Sequence, residues 1–258
     1  MPLQDLWTPS RAGTFYARTG VHAPAPYAPT VILVHGMVVS SRYMVPTAER
    51  LTPLCKVYAV DLPGYGKTYK PARILSLPEL ADALADWMDV VGIAKAHLVG
   101  NSFGCQIIAE FAVRHPQRVQ RLVLQGPTVD PEARSFPQQF FRLLLNSRRE
   151  PLSLGSITWR DYRTAGLRRA WATMKLVLQD RIEDKLPKIQ APTLIVRGTK
   201  DPLVSRAWAE RMLRLLPHGT LHEIHGAPHT INYAAPDEFV RVIATFLQLA
   251  KRPVNEPA

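Results

Sequence analysis

Apolar positions along this chain fall into two alternating periods. Short continuous runs occur at Val31-Ile32-Leu33-Val34, Val57-Tyr58-Ala59-Val60, Ala96-His97-Leu98-Val99, Val119 to Leu124, Thr193-Leu194-Ile195-Val196 and Leu221 to Ile224. Runs of this kind predict strands buried on both faces. Between them lie segments whose apolar residues recur at helical spacing: Pro78 to Val91, with Leu80, Leu84, Trp87, Met88 and Val91, then Cys105 to His115, Ser205 to Leu216 and Pro236 to Leu249. Such segments predict amphipathic helices that cover a sheet. Strands separated by helices of this length imply an α/β fold with a mainly parallel, doubly wound sheet and active groups at the carboxyl ends of its strands. Ahead of this pattern, Gly13 to Thr19 reads as a β piece and Pro24, Pro26 and Pro29 as a connection, together an edge hairpin and linker.

From Pro131 to about Pro187 the alternation stops. Helical segments there are broken by Pro137, Pro151 and Gly155, and Phe136, Phe140, Phe141, Leu144 and Leu145 form an apolar stripe, with Trp159, Tyr162, Leu167, Trp171, Met174 and Leu178 suggesting more. The chain therefore divides into a core, residues 1–130 and 188–258, and a helical insertion, residues 131–187. Each aromatic reads first as packing within the insertion, but collectively they favour an apolar pocket roof, with Phe140, Trp159 and Trp171 as candidate substrate contacts.

Composition narrows the function classes. A chain of 258 residues, 47% hydrophobic and 21% charged, suits one globular α/β unit. No apolar run approaches the length needed to span a bilayer, and Met1 to Ser10 lacks the apolar core of a signal peptide, so the expectation is a cytoplasmic protein without a membrane partner. Cys55 and Cys105 lie in separate segments, offer no metal-ligand spacing, and read as buried small residues. The formal net charge is +11, and the stretch from Pro131 to Gln190 holds twelve Lys and Arg against six Asp and Glu. Nothing resembles a nucleic-acid module, so no nucleic-acid partner is expected. The surplus reads as a solvated face, with a functional basic patch as the alternative.

Chemistry concentrates where predicted strands end. Gly100-Asn101-Ser102-Phe103-Gly104 follows one strand and opens a helix; its glycines allow strand and helix to approach closely around a serine in a strained conformation. His35-Gly36-Met37-Val38-Val39-Ser40 follows the Val31 run. Gly198-Thr199-Lys200-Asp201-Pro202 follows the Thr193 run, and His225-Gly226-Ala227-Pro228-His229-Thr230 follows the last strand. A phosphate-loop reading of Gly66-Lys67-Thr68 fails, because G-x-x-x-x-G-K-[ST] requires glycine where the chain has Asp61.

These four motifs, in their order along the chain, resemble the serine-nucleophile enzymes of the α/β-hydrolase superfamily, and the resemblance runs from Val31 to Leu249. It implies Ser102 as nucleophile on a G-x-S-x-G elbow, Asp201 as triad acid and His229 as base, the order Ser, Asp, His that this fold uses. It implies an oxyanion hole from the Met37 and Phe103 N–H groups, a helical cap after the sixth strand, no metal and no cofactor. Asp130 is a rival for the acid and His225 for the base, while His35 and Asp61 read as structural. A serine nucleophile argues against the dehalogenases and epoxide hydrolases of the superfamily, which use aspartate. The implied partner is a small molecule, first a largely apolar carboxylic ester. Carbon–carbon hydrolysis of ring-fission products, perhydrolysis and a slow ligand receptor are the alternatives, and the basic insertion leans toward a carboxylate-bearing substrate.

Overall fold

The computed structural model describes residues 1–21 and 28–249. In chain order the elements are β1 (Leu3–Ser10), β2 (Gly13–Gly20), β3 (Thr30–Val34), α1 (Val45–Leu51), β4 (Lys56–Asp61), α2 (Leu77–Val90), β5 (Ala96–Asn101), α3 (Phe103–Arg114) and β6 (Val119–Gln125). After β6 come α4 (Phe136–Ser147), α5 (Leu152–Ala165), α6 (Leu167–Gln179) and α7 (Ile182–Lys185). The chain then continues through β7 (Thr193–Gly198), α8 (Arg206–Leu215), β8 (Gly219–Ile224), α9 (Ile231–Ala234) and α10 (Pro236–Leu247).

The strands form one eight-stranded sheet in the order β1-β2-β4-β3-β5-β6-β7-β8. β1 and β2 make an antiparallel hairpin joined antiparallel to β4, and every later pair is parallel. Central β3 has its Leu33 opposite Ala59 of β4 and Val99 of β5. Its side chains serve two cores in alternation. Ile32 and Val34 pack with Leu84 and Trp87 of α2 and Phe111 of α3, whereas Val31 and Leu33 pack with Leu51 of α1 and Phe239 and Ile243 of α10. That double burial is why β3 reads as an unbroken apolar run. Fully burying one such aliphatic side chain contributes about 1.5–3 kcal/mol.

Two elements escape the sequence pattern. β1 borders the sheet and alternates exposed with partly covered positions, so Leu3–Ser10 never forms a continuous run. α1 spans seven residues beginning Val45-Pro46, too short to establish a period. The connection expected through Pro24 and Pro26 lies outside the described residues. The last piece of the expected insertion behaves as core, since Ile182 of α7 and the following Leu186 are fully buried with the α3 cluster. Among the described residues no helix is long and apolar enough to cross a membrane.

Candidate active site

Ser102 stands between β5 and α3 with φ of 53°, a left-handed conformation that serine adopts only at a cost. Its flanking glycines permit this elbow. A Cβ on Gly104 would sit 2.4 Å from the Val34 carbonyl oxygen, and one on Gly100 would sit 2.7 Å from the Gly104 backbone. The strand below and the helix above thus meet backbone to backbone, and the serine is held at the carboxyl edge of the sheet.

The loop after β3 is fixed against that elbow. The Gly36 N–H donates to Tyr43 Oη at 2.7 Å, and the Tyr43 hydroxyl donates to Asn101 Oδ1 at 2.5 Å. His35 accepts the Leu62 N–H at Nε2, 3.0 Å, and its Nδ1 faces the Gly36 carbonyl at 2.8 Å. Complete burial pushes the His35 pKa down, against the opposing charge of Asp61, so a neutral ring with its proton on Nδ1 bridges two loops. Asp61 accepts from the Ser41 and Lys67 N–H groups at 2.6 and 2.8 Å. Both residues are structural, as their positions in the sequence suggest. Within the same loop Val38 adopts φ of 60°, rare for a β-branched side chain. Neither the Met37 nor the Phe103 N–H has an acceptor among the described residues.

His229 follows β8, and its Nδ1 lies 2.8 Å from Asp201 Oδ2, in the turn after β7. The other oxygen of Asp201 accepts the Leu203 and Val204 N–H groups at 2.7 and 3.2 Å. The carboxylate is thereby aimed before the imidazole arrives. Burial by itself would push the His229 pKa down; the charge and hydrogen bond of Asp201 outweigh it, with a further contribution from Glu150, and the net direction is upward. The backbone of His229 is pinned from two sides. Its carbonyl accepts Gln125 Nε2–H at 2.6 Å from the end of β6, and its N–H donates to Asn146 Oδ1 at 3.3 Å from the end of α4. Asp130 is engaged elsewhere, accepting the Ser205 hydroxyl and the Glu132 N–H. His225 is exposed. The rivals for acid and base are therefore set apart from the pair.

Ser102 and His229 border one cavity of about 1180 Å³, together with Gly36, Met37 and Asn101. The Ser102 hydroxyl has Thr128 Oγ1 at 3.5 Å as its near polar neighbour, while the buried Nε2 of His229 has no partner among the described residues. The serine hydroxyl and the imidazole are thus brought to one cavity without a hydrogen bond between them. Hydrogen bonds of this kind are often long in unliganded enzymes and tighten when substrate binds.

α4, α5 and α6 roof the cavity. Phe140, Trp159 and Trp171, expected as substrate contacts, all line it. Most of the wall is apolar, and its charged members are Glu150 and Arg163. The basic surplus of the insertion therefore does not converge on the cavity, contrary to its suggested role in holding a carboxylate-bearing substrate. Cys55 and Cys105 are buried free thiols, and burial pushes Cys55 up to about 12. Among the described residues, His, Cys, Asp and Glu side chains form no group that could hold a metal ion.

The seams between insertion and core were not foreseen. Besides Asn146, Glu150 accepts the Thr230 N–H at 2.9 Å and the Thr230 hydroxyl, and buried Asp161 of α5 accepts the Ser40 hydroxyl at 2.7 Å. These are isolated polar residues whose partners lie 80 to 121 positions away. No periodicity marks them.

Comparison with known proteins finds relatives over most of the chain. The sequence profile of the alpha/beta hydrolase family matches residues 31–242. A Yersinia enterocolitica protein named as a carbamate hydrolase, RutD, is 27% identical over 90% of this chain and 91% of its own length. A 2-hydroxy-6-oxononadienedioate/2-hydroxy-6-oxononatrienedioate hydrolase of Pseudomonas putida is 26% identical over 86% of this chain and 88% of its own. Among solved structures, a membrane phospholipase A described as a bacterial virulence factor superposes with a TM-score of 0.80 at 25% identity, covering 95% of this chain and 86% of that one.

Proposed function

The chain belongs to the alpha/beta hydrolase family and is a hydrolase, and from that premise we propose that it cleaves largely apolar carboxylic esters through an acyl-enzyme on Ser102. One observation carries the reading: a serine in a strained elbow borders the same apolar cavity as a buried imidazole whose far nitrogen is paired to a carboxylate and whose near nitrogen is free. In this reading the Ser102 hydroxyl turns from Thr128 toward His229 Nε2 and gives up its proton as Oγ attacks the ester carbonyl. The Met37 and Phe103 N–H groups receive the oxyanion. Collapse expels the alkoxide, which takes the proton from the imidazolium. Water, deprotonated by the same nitrogen, then attacks the acyl carbonyl, and Ser102 leaves with that proton as the carboxylate product departs. Asp201 keeps the proton-bearing Nδ1 turned toward itself throughout. α4 to α6 act as the cap over the acyl group.

A second reading rests on the names of the relatives, which include a 2-hydroxy-6-oxononadienedioate/2-hydroxy-6-oxononatrienedioate hydrolase. A substrate with two carboxylates would meet one cation, Arg163, and one anion, Glu150, in this cavity, which supports the ester instead. The test is turnover of p-nitrophenyl esters of increasing acyl length beside a 2-hydroxy-6-oxo dienoate, with Ser102→Ala as control. Preference for a medium or long acyl chain, and loss of at least about 10⁴-fold in kcat for Ser102→Ala, is expected. Dienoate turnover exceeding that of every ester by orders of magnitude would replace the proposal.

A further inference from the structure

The exposed charges on α4, α5 and α6 have one sign. Between Phe136 and Gln179 the exposed charged residues are Arg148, Arg149, Arg160, Arg163, Arg168 and Lys175. The carboxylates of this stretch are turned inward, Glu150 to Thr230 and Asp161 to Ser40. On the core, several exposed arginines meet acids, as Arg50 meets Asp237 and Arg114 meets Asp82, while others such as Arg211 and Arg214 do not among the described residues; what distinguishes the insertion is that its exposed charges include no carboxylate. Arg148, Arg160 and Arg168 have no hydrogen bond or ion pair from their side chains among the described residues.

Apolar side chains interleave with these cations. Leu152 is 97% exposed, Leu167 86%, Trp159 67% and Phe141 61%. On α5 and α6 the two kinds share a stripe at seven- or four-residue spacing, Leu152 with Trp159 and Arg163, and Leu167 with Trp171 and Lys175, and Arg148 caps α4 seven residues after Phe141. Arg163 stands 6.0 Å from the Trp159 ring centre and Lys175 5.5 Å from that of Trp171. The stripes of α5 and α6 converge on the rim of the cavity, which Leu152, Trp159, Leu167 and Trp171 line. Exposed apolar surface of this extent marks a contact site. Tryptophan beside arginine or lysine suits the headgroup level of a bilayer, where the ring buries its body and the cation meets phosphate.

We propose that the outer face of α4, α5 and α6 docks on an anionic lipid surface. Arg148, Arg160 and Arg168 meet lipid phosphates, and Phe141, Leu152, Trp159 and Leu167 enter the boundary between headgroups and acyl chains. A second copy of the chain is the poorer occupant, because two such faces would set like charges against each other. The expectation of no membrane partner rested on the lack of a spanning run and of a signal-peptide core; a surface contact needs neither. Docking places the cavity mouth against the bilayer, so that an apolar ester reaches Ser102 without crossing water. The inference goes beyond the ester reading and is read by partition, so either can fail without the other.

The full chain carrying Ser102→Ala, which leaves lipid intact, is sedimented with phosphatidylcholine vesicles with and without phosphatidylglycerol, and tryptophan emission is recorded. The expected result is partition onto the anionic vesicles with a blue shift. Raising salt from about 0.1 to 1 M should reverse it, as the screening length shortens from about 10 to 3 Å. A triple variant Arg148→Glu, Arg160→Glu, Arg168→Glu, and separately Phe141→Asp, should partition at least about tenfold less. The same substitutions on the Ser102 background should leave hydrolysis of a short soluble ester unchanged, which reports correct folding. Three outcomes overturn the proposal: no partition, equal partition onto neutral and anionic vesicles, or a concentration-dependent dimer in place of vesicle binding.

Discussion

Strands β3, β5 and β7 bury nearly every side chain on both faces, whereas α4, α5 and α6 leave Leu152, Leu167, Trp159 and Phe141 mostly in water. Polar groups divide in the same way. At the carboxyl edge of the sheet the groups that fix the site are engaged: Asp201 by two amides and an imidazole, His35 by two loops, and the His229 carbonyl by Gln125, leaving His229 Nε2 turned to the cavity. On the insertion, Arg148, Arg160 and Arg168 face solvent without side-chain partners among the described residues. The core therefore carries preorganisation, in which a small displacement costs rate, and the insertion carries contact, in which individual side chains are replaceable. The contrast teaches that a residue's consequence follows its satisfaction within the fold.

Asp201→Asn should separate the two regions most sharply. The amide cannot favour a proton on Nδ1 facing it, so the imidazole turns over to the wrong tautomer and kcat falls about 10⁴-fold, while the fold is kept. Trp159→Ala, in the roof, should alter selectivity among acyl chains with a far smaller loss on a short ester. Comparable losses in kcat from both variants, measured with p-nitrophenyl acetate, would erase the distinction.

Stability offers the next test. Ile32→Ala removes a fully buried side chain between α2 and the sheet and should cost about 2–5 kcal/mol in denaturant unfolding. Leu152→Ala, with nearly all its surface already wet, should change stability by no more than about 0.5 kcal/mol. An equal cost would mean that the insertion's apolar face is covered in solution.

How much of this was legible beforehand follows the same divide. The runs at Val31, Val57 and Thr193 declare their strands because burial on both faces demands unbroken apolar sequence, and the elbow declares itself because Gly100 and Gly104 are required by backbone contacts that no other residue tolerates. Asp201 and His229 were expected from the family resemblance, each in the loop that follows a strand, and the structure sets them 2.8 Å apart. The insertion was legible as helices, but not for what its charges face. Helical spacing reports which residues share a stripe, and the inward turn of Glu150 and Asp161 depends on partners far along the chain. β1 and α1 were hidden for the reasons of exposure and shortness already given.

The pH profile sharpens the comparison from the side of the core. In the proposed mechanism His229 must be neutral to accept the Ser102 proton, and Asp201 raises its pKa, so the acid limb of kcat/KM should have its midpoint above the ordinary histidine value of about 6.5. Below that midpoint activity falls about tenfold for each unit of pH. A midpoint at or below the ordinary value would mean that burial prevails over the carboxylate.

The smallest expected effect lies on the seam itself. Glu150 belongs to the turn between α4 and α5 but accepts from Thr230, the residue after His229, and its charge adds to the upward pull on the imidazole. Glu150→Gln keeps an oxygen for the Thr230 N–H and removes the charge. The acid-limb midpoint should therefore move downward, while kcat/KM on the plateau stays within about threefold because the hydrogen bond is retained. Asn146→Ala, which strips the acceptor from the His229 N–H, should do the reverse, lowering the plateau and leaving the midpoint in place. If Glu150→Gln lowers the plateau without moving the midpoint, the residue serves only as a strut, and the electrostatics of the base belong to the core alone.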